Sequence, residues 1–465
     1  MLRPRDRLIV FSPSVNDEAA SRKQFLAPVL IYQPGMPESL IHSATTRQPG
    51  ILSMADLAPY ILDIFGIAAP AEMIGRVPEL VPRTQAAEWL FREVGRIASV
   101  YQLRLNVLYP FVTYQVIVLL AALLAAVIGR MPGRRLVKTA LMSILAAPAV
   151  MVGLGYVSGP VWFMALLFIA AWVLVTLGLS RLPTVDALGI AGALNAGVIL
   201  LDGMLGSPAM ARSILGYDPM IGARYYGIGN ELMGVLIGAV LLALSSLLHR
   251  FGRGERPAGV WKAGCAAVFA VIVVYLAAPN LGTNAGGAIS AIAAFGIAWL
   301  RFFVWKPERQ TDLLKLPMYV AGLGVLSLLV LWLLHTLLPW TVDQESHIGR
   351  AMRWAAEGRL DLIGAMALRK LAMNWHLIGV SAWSKVLLAS LLVIAGMVLR
   401  PRGVLLAWQR RLPHFMHGFS SGAVGAIAAL LVNDSGIVAC ATLMLFIAVP
   451  MLLLKLDAAR LNAAV

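Results

Sequence analysis

The sequence predicts a mainly α-helical, polytopic membrane protein preceded by a small α/β region. Hydrophobic residues make up 60% of the 465-residue chain and charged residues only 13%, whereas an ordinary soluble domain has about 25% charged residues. The apolar residues are concentrated in residues 106–460, in segments of about 17–25 residues, which is the length that crosses a hydrocarbon core. Residues 1–105 have mixed charges, prolines and short apolar runs, which predict a folded region outside the lipid.

About eleven segments have the length and hydropathy of transmembrane helices. Asn195 and Asp202, together with several glycines, dilute the fourth of them, and glycines also dilute the tenth. We predict spans near residues 107–129, 137–157, 160–180, 185–205, 228–248, 262–278, 284–304, 317–339, 380–399, 416–432 and 436–456.

Basic residues mark one side of this arrangement. Lys and Arg cluster after the first, third, fifth, seventh, ninth and last predicted spans, and Arg134, Arg135, Lys138 and Arg181 are among them. Cytoplasmic loops carry an excess of Lys and Arg, so the C-terminus is predicted to be cytoplasmic and the N-terminal region extracytoplasmic. This is the topology of a bacterial inner-membrane protein.

The net charge of +15 has the same origin. The basic residues lie between apolar segments and do not form a basic face interleaved with aromatic residues, so no nucleic-acid partner is expected. Cys265 and Cys440 fall inside apolar segments, which excludes a disulfide framework or a zinc site. The sequence contains no heme, flavin, nucleotide or metal motif, and no cofactor is expected.

The start of the chain lacks an apolar export segment, since it runs Met1-Leu-Arg-Pro-Arg-Asp-Arg. An extracytoplasmic N-terminal region requires export. We expect an export segment upstream of this start, and transport together with the first span is the alternative.

The N-terminal region contains the pattern strand, strand, helix. Leu8-Ile-Val-Phe-Ser-Pro predicts a strand that ends in a turn, and Pro28-Val-Leu-Ile-Tyr-Gln-Pro-Gly predicts a second strand closed by Pro-Gly. The segment that begins Met54-Ala-Asp-Leu-Ala-Pro-Tyr has apolar residues at helical spacing and ends at Gly66. This order is typical of the last part of an α/β domain.

Four segments, taken in order, resemble the C-terminal end of the alkaline phosphatase superfamily over about 80 residues. They are Pro28-Val-Leu-Ile-Tyr-Gln-Pro-Gly, Thr45-Thr-Arg-Gln-Pro-Gly, Ala55-Asp-Leu-Ala-Pro-Tyr-Ile-Leu and Met73-Ile-Gly-Arg. The superfamily has an Asp-His-Gly metal motif where this chain has Ser12-Pro-Ser, and His42 alone cannot hold two metals. We therefore expect a docking or vestigial domain and no phosphatase chemistry.

Polar residues at membrane depth are costly and are candidates for function. Glu231 opens the fifth predicted span beside two glycines, and an interfacial acid that reaches to the surface is the structural alternative. The segment Asn433-Asp-Ser-Gly could be a tight turn, and residues 280–287 could be a turn followed by a packing face of small residues. Asn195 and Asp202 in the fourth span are candidates of this kind. The candidates in the other segments are Arg224, Asn230, Glu231, Asn280, Asn284 and Asp434.

A long outer loop, predicted at 341–379, carries basic residues on the side where they are normally depleted. Its tryptophans, Trp340, Trp354 and Trp375, are typical of a helix that lies on the membrane surface. Arg350 and Arg353 share a helical face, and His347 precedes them. The loop could bind anionic headgroups of membrane lipids or a lipid diphosphate, for which arginine is well suited.

This layout resembles the O-antigen ligase and polymerase class of glycosyltransferases, which handle sugars linked to a polyprenyl diphosphate. We therefore hypothesise an enzyme or carrier for lipid-linked envelope precursors, in which Arg350, Arg353 and Arg224 would clamp the diphosphate and Glu231 or His347 would be the general base. A flippase and a non-catalytic scaffold remain alternatives. Broken helices near Gly227 and Asn280 favour a transporter, and the lost metal motif favours a scaffold. The oligomeric state is left open.

Overall fold

The computed structural model describes residues 3, 6–70, 73, 75–128, 133–252, 258–304, 316–337, 357–399 and 402–461. Within them the protein is mainly helical, with a small N-terminal region of four short strands. The N-terminal elements are β1 (Leu8–Phe11), α1 (Asp17–Ser21), β2 (Val29–Tyr32), β3 (Ser39–His42), α2 (Leu57–Ile64), β4 (Glu79–Pro82) and α3 (Ala86–Leu103). The helices that follow are α4 (Tyr109–Ile128), α5 (Arg134–Gly153), α6 (Val161–Ser180), α7 (Thr184–Met204), α8 (Asn230–Phe251), α9 (Ala258–Ala277), α10 (Ala285–Phe303), α11 (Leu316–Leu337), α12 (Leu360–Val380), α13 (Ala382–Leu399), α14 (Arg402–Arg411), α15 (Pro413–Val432) and α16 (Gly436–Leu461).

The N-terminal region contains two antiparallel two-stranded sheets. β1 pairs with β2, and β3 pairs with β4. The predicted strands β1 and β2 and the helix α2 are present. The second sheet was not predicted, because β3 has only two adjacent apolar residues and β4 ends in a proline.

A buried carboxylate holds the centre of this region together. Asp56 is fully buried and precedes α2. Ionised carboxylates accept several hydrogen bonds, and such bonds offset the cost of burying the charge. Asp56 accepts hydrogen bonds from Ser43 Oγ at 2.8 Å, Thr45 Oγ1 at 2.5 Å, Ser53 N at 3.1 Å and Arg76 N at 2.8 Å. The segments around residues 45, 56 and 76, which carry the superfamily resemblance, therefore meet at one side chain.

Ten of the described helical segments are long and apolar enough to cross a membrane. They coincide with ten of the predicted spans, and the fourth and tenth spans are among them. The predicted span near 317–339 is α11, whose apolar stretch Ala321–Leu333 is shorter. α3 continues through a π-helical turn at Arg104–Leu108 into α4, so the predicted boundary near residue 105 lies inside one continuous helix.

Two helices form the centre of the bundle. Every residue of α16 from 436 to 454 is buried, and so is every residue of α8 from 232 to 242. The two helices touch at Gly234, where a Cβ would lie 2.1 Å from Thr442 Oγ1 and 2.3 Å from the Ala439 carbonyl oxygen. Small residues allow this approach, which supplies the packing that the hydrophobic effect cannot supply in lipid.

The peripheral helices turn apolar side chains outward. In α6, Trp162 is 67% exposed and Leu174 is 73% exposed. Exposed apolar side chains along a whole helix are costly in water but stable against lipid. The exposed face of α6 therefore agrees with the membrane location that the hydropathy predicts.

The loops lie at two ends of the bundle. At one end, which we call the basic end, Lys138 at the start of α5 and Thr184 at the start of α7 both donate to Asp457 near the end of α16. Arg250 at the end of α8 pairs with Asp186 at the same end. The opposite end, which we call the sheet end, carries the N-terminal region. The positive-inside rule predicts that the basic end is cytoplasmic.

Candidate functional site

Two loops at the sheet end are in direct contact. The Ile228 backbone N–H, just before α8, donates to the Gly282 carbonyl oxygen just before α10, at 2.7 Å. Gly227 has a φ of +73°, and a Cβ there would lie 2.4 Å from the same Gly282 oxygen. Only glycine meets both requirements without strain. The predicted breaks near Gly227 and Asn280 therefore pack against each other.

Asn284 brings two of the predicted residues together. Its Oδ1 accepts a hydrogen bond from Gly287 N at 2.7 Å, which caps the start of α10. Its Nδ2 donates to the Ile228 carbonyl oxygen at 3.1 Å and to Asn230 Oδ1 at 3.4 Å. Asn284 is buried, so these bonds also satisfy the polar groups of its amide.

Arg224 and Glu231 flank Gly229. A Cβ at residue 229 would lie 3.2 Å from Glu231 Oε2 and 3.8 Å from Arg224 Nε. Burial lowers the pKa of the Arg224 guanidinium, while the nearby carboxylates of Glu231 and Asp434 act in the opposite direction. The predicted cation and the two predicted acids therefore share one electrostatic environment.

The two loops before α8 and α10 form the first two junctions of this region. The turn between α15 and α16 is a third junction, and it packs against the start of α10. A Cβ on Gly286 would lie 2.3 Å from Asn433 Oδ1, so α10 lies directly against this turn. Asn433 Nδ2 donates to the Ala429 carbonyl oxygen at 3.0 Å and to Ser290 Oγ at 3.4 Å. The small residues at the start of α10 thus serve the close packing that the sequence suggested as a structural alternative.

α12 covers this junction from the side. Lys370 Nζ donates to the Val432 carbonyl oxygen at 2.8 Å and lies 3.4 Å from Asp434 Oδ1. One turn later, Asn374 Nδ2 donates to the Asn433 carbonyl oxygen at 3.0 Å, and Asn374 Oδ1 accepts from Ile437 N at 3.1 Å. The described part of the predicted outer loop is therefore mostly a helix that caps the start of α16. Sequence reasoning noted Lys370 only as one of the basic residues of the outer loop and assigned neither residue to the site, although their spacing of four places them on one helical face.

We use the name junction cluster for the polar residues at these three junctions. They belong to segments far apart in the chain but lie together at the sheet end. The junction cluster consists of Arg224, Asn230, Glu231, Asn284, Lys370, Asn374, Asn433 and Asp434.

A buried ion pair fixes the loop that carries Arg224. Arg104 Nη1 donates to Asp218 Oδ2 at 2.8 Å, and Arg104 Nη2 donates to the Gly216 carbonyl oxygen at 3.0 Å. Asp218 N in turn donates to the Arg224 carbonyl oxygen at 2.9 Å. Burial raises the pKa of Asp218, and Arg104 opposes this rise. In the sequence, this pair is visible only as one arginine just before the first predicted span and one aspartate after the fourth.

The N-terminal region docks onto the same loops through the Thr45-Thr-Arg-Gln motif. Arg47 Nη1 donates to the Pro279 carbonyl oxygen at 2.6 Å, and its guanidinium carbon lies 4.0 Å from the centre of the Tyr226 ring. Gln48 Nε2 donates to the Tyr225 carbonyl oxygen at 2.5 Å. A stacked cation and two hydrogen bonds to backbone oxygens give a specific contact. The contact holds the N-terminal region against the helical part of the same chain.

Glu231 also lines a small cavity between α4, α5, α8, α13 and α16. The cavity volume is about 10 Å³, enough for about one water molecule. Gln115 and Thr442 line it as well, and Gln115 Oε1 is buried with no hydrogen-bond partner among the residues that the structure describes. Most of the other lining residues, such as Phe111, Leu145 and Trp383, are apolar, so Glu231 lies beside a small and mainly apolar cavity.

The junction cluster has the features of an anion site at its surface. α8, α10 and α16 all begin there, and the dipole at a helix N-terminus attracts negative charge. Arg224 and Lys370 add two cations, and each is mostly buried but keeps some exposed surface. Asp434 is 69% exposed, so the cluster can be reached from the sheet end.

Some predicted residues are placed elsewhere. Asn280 is exposed at the tip of its loop and is apart from the cluster. Asp202 accepts hydrogen bonds from Tyr156 Oη and from two backbone N–H groups, so it caps the loop after α7. Asn195 donates to the carbonyl oxygens of Leu145 and Ala191 inside the bundle. His347, Arg350 and Arg353 lie outside the described residues.

Comparison with known proteins gives no relative. No protein-family model, no curated protein and no solved structure matches this chain. In the described part of the chain, no group of three or more His, Cys, Asp and Glu side chains is placed to hold a metal ion. A function therefore has to be argued from the junction cluster itself.

Proposed function

We propose that the junction cluster binds the anionic head of a lipid-linked cell-envelope precursor at the outer face of a bacterial inner membrane. The observation that carries the proposal is the convergence of three helix N-termini with Arg224 and Lys370. In a complex with a polyprenyl diphosphate, Arg224 and Lys370 would donate hydrogen bonds to the diphosphate oxygens at the membrane surface. Its polyprenyl chain would remain in the lipid beside the apolar helices.

We further propose that the protein transfers the glycosyl or phosphoryl group of this precursor to an acceptor hydroxyl. Glu231 would accept the hydroxyl proton as a general base, a role that needs a carboxylate within hydrogen-bond reach of the acceptor. Its position close to Arg224, at the start of α8, supports this role. His347, Arg350 and Arg353 remain predicted contributors to the same site.

A flippase, the first alternative, requires polar groups that continue through the membrane. Below the cluster, α8 is apolar from Val235 to Leu242, and α16 is apolar from Leu443 to Leu454. This pair of central helices provides no polar path, which disfavours transport between them. A non-catalytic scaffold, the second alternative, agrees with the docked N-terminal region but requires no anion at the cluster.

Replacing Arg224 with alanine should weaken the binding of a polyprenyl diphosphate. The probe is geranylgeranyl diphosphate, and binding to the full-length protein in detergent is measured by microscale thermophoresis. Hydrogen bonds to charged groups contribute about 1.5–3 kcal/mol, so we expect roughly a 10- to 150-fold weaker affinity.

The matched control for this variant is Arg212→Ala. Arg212 is an exposed arginine of the same loop, so its removal subtracts the same charge without touching the cluster. Its affinity should stay within about twofold of the unaltered protein, because exposed charges contribute little. Equal losses in the two variants would mean that only net charge matters. An unaltered protein that does not bind the probe would favour the scaffold.

A further inference from the structure

A large basic groove lies at the basic end, on the opposite side of the bundle from the junction cluster. It has a volume of about 1120 Å³ and is formed by the start of α5, the α6–α7 connection and the end of α16. Its basic residues are Arg134, Arg135, Lys138 and Arg181. Nothing in the function proposed above uses this groove.

The positive charge of the groove is not balanced by the protein. Asp457 is the one acid among the lining residues, and both Lys138 and Thr184 already donate to it. Among the described residues, no salt bridge neutralises the three arginines. Arg134 Nη2 is buried and has no hydrogen-bond acceptor there. A buried guanidinium N–H without an acceptor is costly unless a ligand supplies one.

The helix geometry adds to this imbalance. Arg134, Arg135 and Lys138 occupy the first turns of α5, where the helix dipole is positive and favours anions. The residue before α5, Gly133, offers no side-chain cap, and Pro183 before α7 offers none either. Two uncapped helix N-termini and four cations therefore face one cavity. The positive-inside rule accounts for the presence of basic residues in this loop. It does not account for their position around a groove at the positive end of the α5 dipole.

The remaining walls of the groove are apolar. Met142, Leu179, Leu182 and Leu453 line it beside the cations. A soluble phosphate would need only the charged groups. A phospholipid would also place its glycerol and first acyl carbons against these side chains, and Leu182 is 39% exposed at that position.

We infer that this groove is a binding site for an anionic phospholipid of the leaflet at the basic end, with its phosphate between Arg134 and Arg181. Phosphate oxygens would accept hydrogen bonds from the guanidinium groups and from the uncapped N–H groups of α5 and α7. The apolar wall would contact the lipid where its acyl chains begin.

The test compares lipid retention in two double variants of the full-length protein. Arg134→Gln/Arg181→Gln removes two charges from the groove. Arg410→Gln/Arg411→Gln removes two exposed charges from the same end, at the end of α14. Native mass spectrometry then measures the affinity of phosphatidylglycerol for each protein in a non-ionic detergent.

We expect the groove variant to bind phosphatidylglycerol roughly 25-fold more weakly, at about fivefold for each arginine, and the control to change by less than about twofold. Arg181→Gln alone, which alters an exposed residue, should give about fivefold and covers the case that the double variant does not fold. Equal weakening in groove and control variants would overturn the proposal. Displacement of the lipid by an equal concentration of inorganic phosphate would also overturn it, since the groove would then bind a soluble anion.

Discussion

Replacing Arg104 with alanine should destabilise the protein by about 3–5 kcal/mol, which is the cost of removing one partner of a buried ion pair. The Arg104 side chain is 14% exposed and that of Asp218 is 4% exposed. Without Arg104, the carboxylate of Asp218 would be buried with no counter-charge. Thermal unfolding of the purified protein in detergent measures the loss.

The loss should depend on pH in a defined direction. Burial raises the pKa of Asp218 and Arg104 opposes the rise, so the pKa climbs further in the Arg104→Ala variant. A carboxyl with a raised pKa in the folded state contributes stability below its ordinary pKa and loses it as pH rises through the raised value. The deficit of the variant should therefore shrink on acidification and grow toward neutral pH.

Two further variants separate this explanation from a general effect of lost charge. Arg22→Ala breaks a pair whose side chains are both 68% exposed, and it should cost less than about 1 kcal/mol. Adding Asp218→Asn to Arg104→Ala removes the unpaired charge and should recover part of the stability. A deficit that is independent of pH, or a double variant no more stable than the single one, would show that the ion pair is not the cause.

Replacing Glu231 with glutamine should lower transfer activity about 10²- to 10⁴-fold, the usual contribution of a general base. Glutamine has nearly the same size but cannot accept the proton, so binding of geranylgeranyl diphosphate should change by only a few-fold. The assay uses a disaccharide linked to a short-chain polyprenyl diphosphate and measures release of the lipid diphosphate.

The control for this variant is Glu88→Gln, which alters an exposed acid of α3. Its activity should equal that of the unaltered protein. If Glu231→Gln instead lost binding and activity to the same degree, Glu231 would be a binding group and not the base. Full activity in Glu231→Gln would remove it from the reaction altogether.

The membrane part of the fold was predictable because its signal is strong and local. An apolar run long enough to cross lipid is visible in one segment, and even α7, which contains Asn195 and Asp202, was placed correctly. The second sheet was not predicted, and the helix expected in the outer loop, where α12 lies, was given no bounds. β3 is too short to show an alternating pattern, and the polar residues of α12 dilute its hydropathy.

The junction cluster was predictable only in part. Glycine-flanked polar residues at span ends identified Arg224, Asn230 and Asn284, and alternating topology placed them at one depth. Lys370 and Asn374 were not assigned to it, because their importance comes from packing against the α15–α16 turn, a contact between distant segments. Asp202 was a candidate that proved to be structural. In the sequence, a buried acid that caps a loop looks the same as a buried acid with a function.

The most direct test of the central claim is to locate a bound polyprenyl diphosphate by photocrosslinking. A geranylgeranyl diphosphate analogue with a diazirine beside the diphosphate is irradiated with the full-length protein, and the labelled peptides are identified by mass spectrometry. The account predicts labels within residues 224–231, 284–290, 370–374 or 433–437, suppressed by excess unlabelled geranylgeranyl diphosphate. Labels confined to the lipid-facing side of α6 or to the basic end, or labels that unlabelled lipid does not suppress, would contradict it.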